Sequence, residues 1–278
     1  TEAHIPAIIR HPRATLLAVQ KRTREAAEKV AEDFGVPFAC TTMDEVLAVA
    51  GLDAVVISST PNAHYPQAMA ALEKGCHVLI EKPMTMTAAQ AEQLLHVAEK
   101  QGVHFLISCP WHYTARNIEA RRLIQTGALG QLKMISVLMT NFCGGLYRQQ
   151  PWEELFGDGD AFESASAPYQ RPGRESYSDP AVAGGGQIYC QVSHVAAHLA
   201  FITGARAVEV FARFDQGGTQ VDVYDTLNIK LDNGALVAIA STGATMLSER
   251  NYEVRIYGEQ GMLHMELWQG TMAFHDGS

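Results

Sequence analysis

The stretch His77–Leu95, HVLIEKPMTMTAAQAEQLL, decides the fold. Val78–Ile80 is a short apolar run without alternation, which marks a strand buried on both faces. The run stops at Glu81-Lys82-Pro83, and a helical pattern begins at Thr87 and runs to Gln101. A strand buried on both sides and followed at once by a helix is one unit of a parallel sheet covered by helices. In such sheets ligands gather at the carboxyl ends of the strands, so the charged pair and the proline stand where binding and chemistry are expected.

The same unit recurs on either side. Ala14–Gln20 (ATLLAVQ) and Leu52–Thr60 (LDAVVISST) are apolar runs of strand length. The first leads into TREAAEKVAEDFG, with Thr23 as N-cap and Gly35 as stop. The second passes a turn at Pro61-Asn62 and enters HYPQAMAALEKG, ended by Gly75. Between them DEVLAVAG is a shorter helical stretch behind Thr42, and after the helix Thr87–Gln101 comes another strand, VHFLIS. Strand and helix in alternation, joined by right-handed crossovers, predict a doubly wound α/β domain. The residues to inspect follow the strands: Lys21 and Arg22, Ser59 to Asn62, Glu81 to Pro83, and Cys109 to Tyr113.

After a helix around Ile118–Gln125 the pattern changes to long, partly alternating strands: QLKMISVLMTNF, AVEVFARF, VDVYDTLNIKLDNGALVAIAST and YEVRIYGEQGMLHMEL. Asp232-Asn233-Gly234 and Gly258–Gly261 read as hairpin turns. This predicts a second, α+β domain on an open, mainly antiparallel sheet, with the boundary near Gly127–Gly130, hence domains 1–127 and 128–278. Gly144–Ala183 is polar and too long for a plain connector, which suits a functional or interface loop. It ends in GGGQIYCQVSHVAAHLAFITG, three glycines opening a helix.

Composition narrows the classes. The 278 residues, 47% hydrophobic and 18% charged, suffice for two domains. A net charge of -9 and the lack of a Lys/Arg stripe exclude a nucleic-acid binder, and no apolar run is long enough to span a membrane. Five scattered cysteines without a C-x-x-C pair argue against a disulfide framework or a zinc site and, with no signal peptide in view, for a reducing, cytoplasmic compartment. His194 and His198 have i, i+4 spacing but no third ligand, so no metal is expected and His198 reads as structural. A G-x-G-x-x-G loop, the usual opening of a dinucleotide-binding sheet, does not occur. TEAHIPAIIRHP reads as the helix that would follow such a loop, so the first strand and its loop are expected to be missing, and TMAFHDGS stops just after a strand.

STPNAH, LIEKP, and GGGQ with Ser193-His194 behind it together resemble the glucose–fructose oxidoreductase and inositol dehydrogenase family (Gfo/Idh/MocA), from the first helix to the last strand. The resemblance implies a Rossmann domain, an open-sheet second domain, a nicotinamide cofactor, and a sugar, cyclitol or related polyol as substrate. It implies that Lys82 is the catalytic lysine that hydrogen-bonds the reacting oxygen, and that Pro83 fixes the turn, often through a cis peptide. Ser59, Thr60, Pro61, Asn62 and His64, with Glu81, Lys82 and Pro83, would line the cofactor cleft, and His194 would sit by the substrate. Gln191 and the polar-tipped aromatics Trp111, His112 and Tyr113 are further candidates for a sugar face.

Two departures from the family pattern stand out. The helix usually carries an aspartate four residues before the histidine; here that position is Cys190, so proton transfer would fall on Lys82 and His194. At the end of the family's second strand, Ala14–Gln20 here, where a carboxylate would bind the ribose of NAD, the chain has Lys21-Arg22-Thr23, which favours the 2′-phosphate of NADP. The expected activity is hydride transfer between a nicotinamide cofactor and the substrate. The alternatives are a cofactor-using non-redox reaction, such as glycoside cleavage or epimerisation, and a non-catalytic sugar- or nucleotide-sensing protein. An open sheet needs a cover, which predicts a homodimer or homotetramer through it, with DTLNIKL and ALVAIAS as candidate strands.

Overall fold

Threonine and glycine punctuate the first part of the chain in the computed structural model, which describes residues 4–151, 154–155, 173–246 and 249–277. Helix α1 (His4–Arg10) precedes β1 (Ala18–Gln20), α2 (Arg24–Phe34), β2 (Phe38–Cys40) and α3 (Met43–Leu47). Then follow β3 (Ala54–Ile57), α4 (Pro61–Glu73), β4 (His77–Ile80), α5 (Ala88–Gln101) and β5 (Phe105–Ile107). The Thr23, Thr42 and Thr87 hydroxyls accept from the N–H groups of Ala26, Glu45 and Gln90, each closing the first turn of its helix. Gly35 and Gly102 end α2 and α5 in the left-handed region, at φ 65° and 67°.

All these strands run parallel, in two hydrogen-bonded groups, β1-β2 and β3-β4-β5. Val55, Ile57, Val78 and Ile80 pack against Ala68 and Leu72 of α4 and Leu94 and Ala98 of α5, all buried. The three-residue strand β2 carries too little pattern to be read from sequence, and it pairs along β1 from Ala18↔Phe38 to Gln20↔Cys40. Pro61 and Asn62, expected as a turn, are the first residues of α4 instead, because proline at the first helical position has no N–H to lose there.

The chain forms two compact units and first passes from one to the other between Ser108 and Cys109. The sequence pattern put the change near Gly127, but packing places α6 (Ala115–Gln125) in the second unit, where Ala120, Leu123 and the following Leu129 join its core. A 3₁₀ turn, Pro110–Tyr113, leads into α6. After β6 (Leu132–Thr140) come the single turns α7 (Gly144–Tyr147), α8 (Glu175–Ser178) and α9 (Pro180–Ala183). The middle of the long polar loop, which the sequence reading singled out, lies outside the described residues. A π-helical turn, Ile188–Val192, runs directly into α10 (Ser193–Thr203). The chain ends in β7 (Ala207–Asp215), β8 (Tyr224–Leu231), β9 (Leu236–Thr242), β10 (Asn251–Gly258), β11 (Gly261–Glu266) and β12 (Thr271–Asp276).

These seven strands form one sheet in the order β12-β11-β10-β6-β9-β8-β7, antiparallel except for β6 beside β9. Gly234, at φ +88°, makes the expected β8–β9 hairpin. Gly258 is required by close approach, since a side chain there would collide with the Leu129 carbonyl. One face of the sheet packs on α10 and α6 through Ile135, Val137, Leu227, Val237, Ile239, Val254 and Ile256. The register puts Met134, Leu138, Leu236, Ala238 and Ala240 together on the other face, where all five are exposed. Among the described residues no helix is long and apolar enough to cross a membrane.

Candidate functional site

In the first unit the candidate residues stand at the carboxyl ends of β1, β3 and β4. At the end of β1 the Lys21 N–H donates to the Cys40 carbonyl at 3.1 Å, and the Gln20 amide reaches the Thr41 carbonyl at 2.9 Å. Arg24 is committed to both oxygens of Glu45, at 3.0 and 3.1 Å, and to the Ala39 carbonyl. Lys21 is half-buried and Arg22 exposed at this corner.

Beyond β3, Thr60 is the N-cap of α4 but makes no capping bond; its hydroxyl donates to Asn62 Oδ1 at 2.7 Å. The Ser59 hydroxyl donates to Gln67 Oε1 at 2.6 Å. A thirteen-residue helix whose cap side chain is turned elsewhere is suited to an anionic group at its N-terminus. His64, one turn into α4, is 1% exposed. Its Nδ1 lies 2.7 Å from the Pro83 carbonyl oxygen and its Nε2 3.1 Å from that of Ser59. The ring therefore ties the β3 end to the β4 end.

At the β4 end, the Glu81 N–H donates to the Ile57 carbonyl at 2.9 Å and its carboxylate meets His4 Nε2 at 2.8 Å. Burial pushes the Glu81 carboxyl up, but hydrogen bonds from His4 and Ser108 and the charges of His4 and Lys82 bring it below the usual range. Glu81 is thus ionised beside Lys82, which is half-buried, and the Lys82–Pro83 peptide is cis.

In the second unit the three glycines before the π turn are explained by packing. Asp222 accepts from the N–H groups of Gly186 at 2.8 Å and Ile188 at 2.6 Å, and a side chain on Gly186 would collide with the Asp222 carbonyl. The chain's own carboxylate occupies the amide nest that a glycine-rich helix start offers. Asp225, three residues on, is 2% exposed, and no donor reaches either of its oxygens. Burial first, and then the nearby Asp222 carboxylate, raise Asp225 to about 8, so its carboxyl is protonated at neutral pH.

Gln187, fully buried, follows the glycines. Its Oε1 accepts from Tyr147 Oη at 2.9 Å and Asn141 Nδ2 at 3.3 Å, and its Nε2 donates to Ser241 Oγ at 2.8 Å. This satisfied network supports the π turn that carries Cys190 and Gln191. The Gln191 amide lies 3.5 Å from the Cys190 sulfur and 3.6 Å from that of Cys143. The residue in the aspartate position therefore belongs to a cluster of two cysteine sulfurs and an amide. His194 is half-buried on α10, just past this cluster. One turn further, His198 uses both nitrogens in the core, Nε2 on Asn117 Oδ1 at 2.9 Å and Nδ1 on Tyr252 Oη at 3.2 Å. Burial lowers His198 to about 3, so it is neutral.

Of the aromatic candidates, Trp111 packs edge-on against Tyr252 and Trp268, with ring centroids at 5.6 and 5.2 Å. His112 stacks on Phe201 at 4.5 Å and its Nε2 meets the Ala197 carbonyl at 3.1 Å. Tyr113 is 67% exposed. Sequence reasoning missed Asn141, Tyr147 and Asp222. Gln187 stood in the GGGQ motif, but nothing in the spacing linked it to strands far along the chain.

Residues 1–108 match the family described as "Oxidoreductase family, NAD-binding Rossmann fold", and residues 153–264 match the "GFO/IDH/MocA C-terminal domain". An uncharacterised oxidoreductase of Synechocystis sp. is 33% identical over 134 residues, 48% of this chain and 36% of that protein. The dTDP-3,4-didehydro-2,6-dideoxy-alpha-D-glucose 3-reductase of Streptomyces antibioticus is 31% identical over 136 residues, 49% of this chain and 41% of its own length. A solved oxidoreductase domain protein from Kribbella flavida superposes with a TM-score of 0.82 over 99% of this chain and 73% of that one; at 22% identity it shares the fold.

Proposed function

Because the chain belongs to the Gfo/Idh/MocA oxidoreductase family, with matches to its N- and C-terminal domains, we propose that it is an NAD(P)-dependent oxidoreductase acting on a sugar, cyclitol or related polyol. The observation that carries this reading is Lys82 at the carboxyl end of a buried parallel strand, beside the ionised Glu81. A bound nicotinamide dinucleotide would supply the hydride acceptor or donor. The residues of the first unit fit such a ligand at two places. Lys21 and Arg22, at the β1 end, suit a ribose 2′-phosphate and support NADP over NAD. Thr60, Pro61 and Asn62, at the start of α4, suit the anionic backbone of the dinucleotide.

In this reading the Lys82 ammonium donates a hydrogen bond to the reacting oxygen and stabilises negative charge as it develops. His194 holds or moves the proton, since the position four residues earlier is a thiol. Sugar chemistry is supported by the Streptomyces relative, named for the reduction of a dideoxy-sugar nucleotide. The buried cysteines Cys40 and Cys76, joined in no disulfide, support a reducing, cytoplasmic setting. Oligomerisation through the exposed apolar face of the seven-stranded sheet completes the proposal.

The test is cofactor absorbance with each nicotinamide dinucleotide against a panel of sugars, sugar nucleotides and cyclitols. Turnover with a panel member, lost by roughly a hundredfold or more in Lys82→Ala, is expected; undiminished turnover in that variant would sink the role of Lys82. A second reading rests on Cys190: without the carboxylate, the cofactor could act transiently in a non-redox reaction such as glycoside cleavage or epimerisation. Product formation with no net absorbance change would select it.

A further inference from the structure

His64 sits among the residues expected to line the cofactor cleft, yet it is 1% exposed and both its nitrogens face backbone carbonyl oxygens. A buried ring with two carbonyl partners is not arranged to hold a ligand. It is arranged to hold two pieces of chain together. The carbonyl of Ser59 belongs to the turn that opens α4, and the carbonyl of Pro83 belongs to the turn that carries Lys82.

We propose that His64 is a positioning residue, an imidazole clamp that draws the Ser59–Asn62 turn and the Lys82–Pro83 turn together when it is protonated. The argument is one of donors. A neutral imidazole has one N–H, and an imidazolium has two. With carbonyl oxygens at 2.7 Å on Nδ1 and 3.1 Å on Nε2, only the imidazolium satisfies both contacts. In the neutral ring the shorter contact keeps the proton on Nδ1, toward Pro83. The Nε2 lone pair then faces the Ser59 oxygen, and that side of the clamp loosens.

The charged groups facing the ring are Glu81 and Lys82, both from the β4 end. Glu81 favours the imidazolium and Lys82 opposes it, while burial, the largest influence, places the titration below the ordinary histidine value. The clamp therefore tightens on acidification from neutral pH. It acts on the edge of the sheet that carries Lys82 without touching a reacting atom.

What the two turns hold depends on the functional reading above; the clamp itself is a property of the first unit. The whole chain, with ¹⁵N-labelled histidine, is titrated from about pH 8 to about pH 5 while amide protection factors are followed. We expect both His64 nitrogens to become protonated at the acid end. Protection at Asn62, Ala63, Lys82 and Met84 should rise about tenfold in the same step, the worth of one charge-assisted hydrogen bond. His64→Gln, which offers one amide donor group and does not titrate, should abolish the step. Protection that ignores the ring's titration, a ring that stays neutral until the chain unfolds, or an unchanged step in His64→Gln would each overturn the proposal. Affinity for NADP and NAD is measured over the same range. If neither binds at any pH, the cofactor reading fails, and the protection data still decide the clamp.

Discussion

Two buried groups in the second unit, Asp225 and His198, set opposite limits on its pH range. Asp225 is raised to about 8 by burial and by Asp222. An unfolded aspartate titrates near 4, so the folded state holds a proton that the unfolded state has released. Stability from this group is complete below about pH 4 and is lost as pH rises through about 8. His198 is lowered to about 3, so the unfolded state takes the proton first, and stability falls as pH drops from about 6.5 toward about 3. Asp225→Asn keeps the size of the side chain and removes its titration. It should raise the unfolding free energy measured in urea above pH 8 by about 1–3 kcal/mol and flatten the alkaline slope. His198→Gln should lower stability at neutral pH but give a shallower acid slope below about pH 6.

At the scale of elements, the helix caps were legible in sequence because a cap is a local bargain between one side chain and the next turn's N–H groups. Thr23 and Thr42 cap as read, while Thr87, read as the first helical residue, proves to be the cap of its helix. Thr87→Ala should cost about 1 kcal/mol in thermal or urea unfolding. The GGGQ motif was visible as a helix opening, but its reason was not, because Asp222 comes from a loop thirty-odd positions later. Gly186→Ala would drive a methyl into the Asp222 carbonyl and displace the segment leading to Cys190 and His194. A loss of roughly 1–3 kcal/mol is expected. If that variant melts like the wild type, the glycine is not there for packing. β2 escaped notice for the opposite reason: three residues carry no period, and only the parallel partner makes them a strand.

At the scale of the whole molecule, alternation identified the sheet strands but did not assign their faces. In DTLNIKL the apolar residues Leu227, Ile229 and Leu231 turn toward the core side, and Thr226, Asn228 and Lys230 turn outward. The open face takes its apolar strip from β6 and β9 instead, at Met134, Leu138 and Leu236. Ion pairs flank this strip, Lys230 with Glu209 on one side and Glu253 with Arg255 and His264 on the other. An apolar centre with a charged rim is the make-up of a protein–protein interface. Light scattering should therefore give a dimer or larger assembly. Leu236→Glu, on an exposed site, should shift it to monomer with little change in melting temperature. A monomeric wild type would remove the oligomer proposal.

By itself the sequence determined the alternation of strands and helices apart from β2, the parallel and antiparallel halves, and the strand end at which Lys82 stands. Those properties follow from local periodicity, capping and the abrupt end of a buried apolar run. Tertiary structure alone decided that α6 belongs to the second unit, that the half-buried Trp111 and His112 pack on aromatic rings of that unit, and that Asp222 fills the glycine nest. It also decided that His64 faces two carbonyl oxygens rather than open space. Each of these depends on which distant backbone or side-chain atoms meet a given residue, and spacing along a chain does not encode such partners.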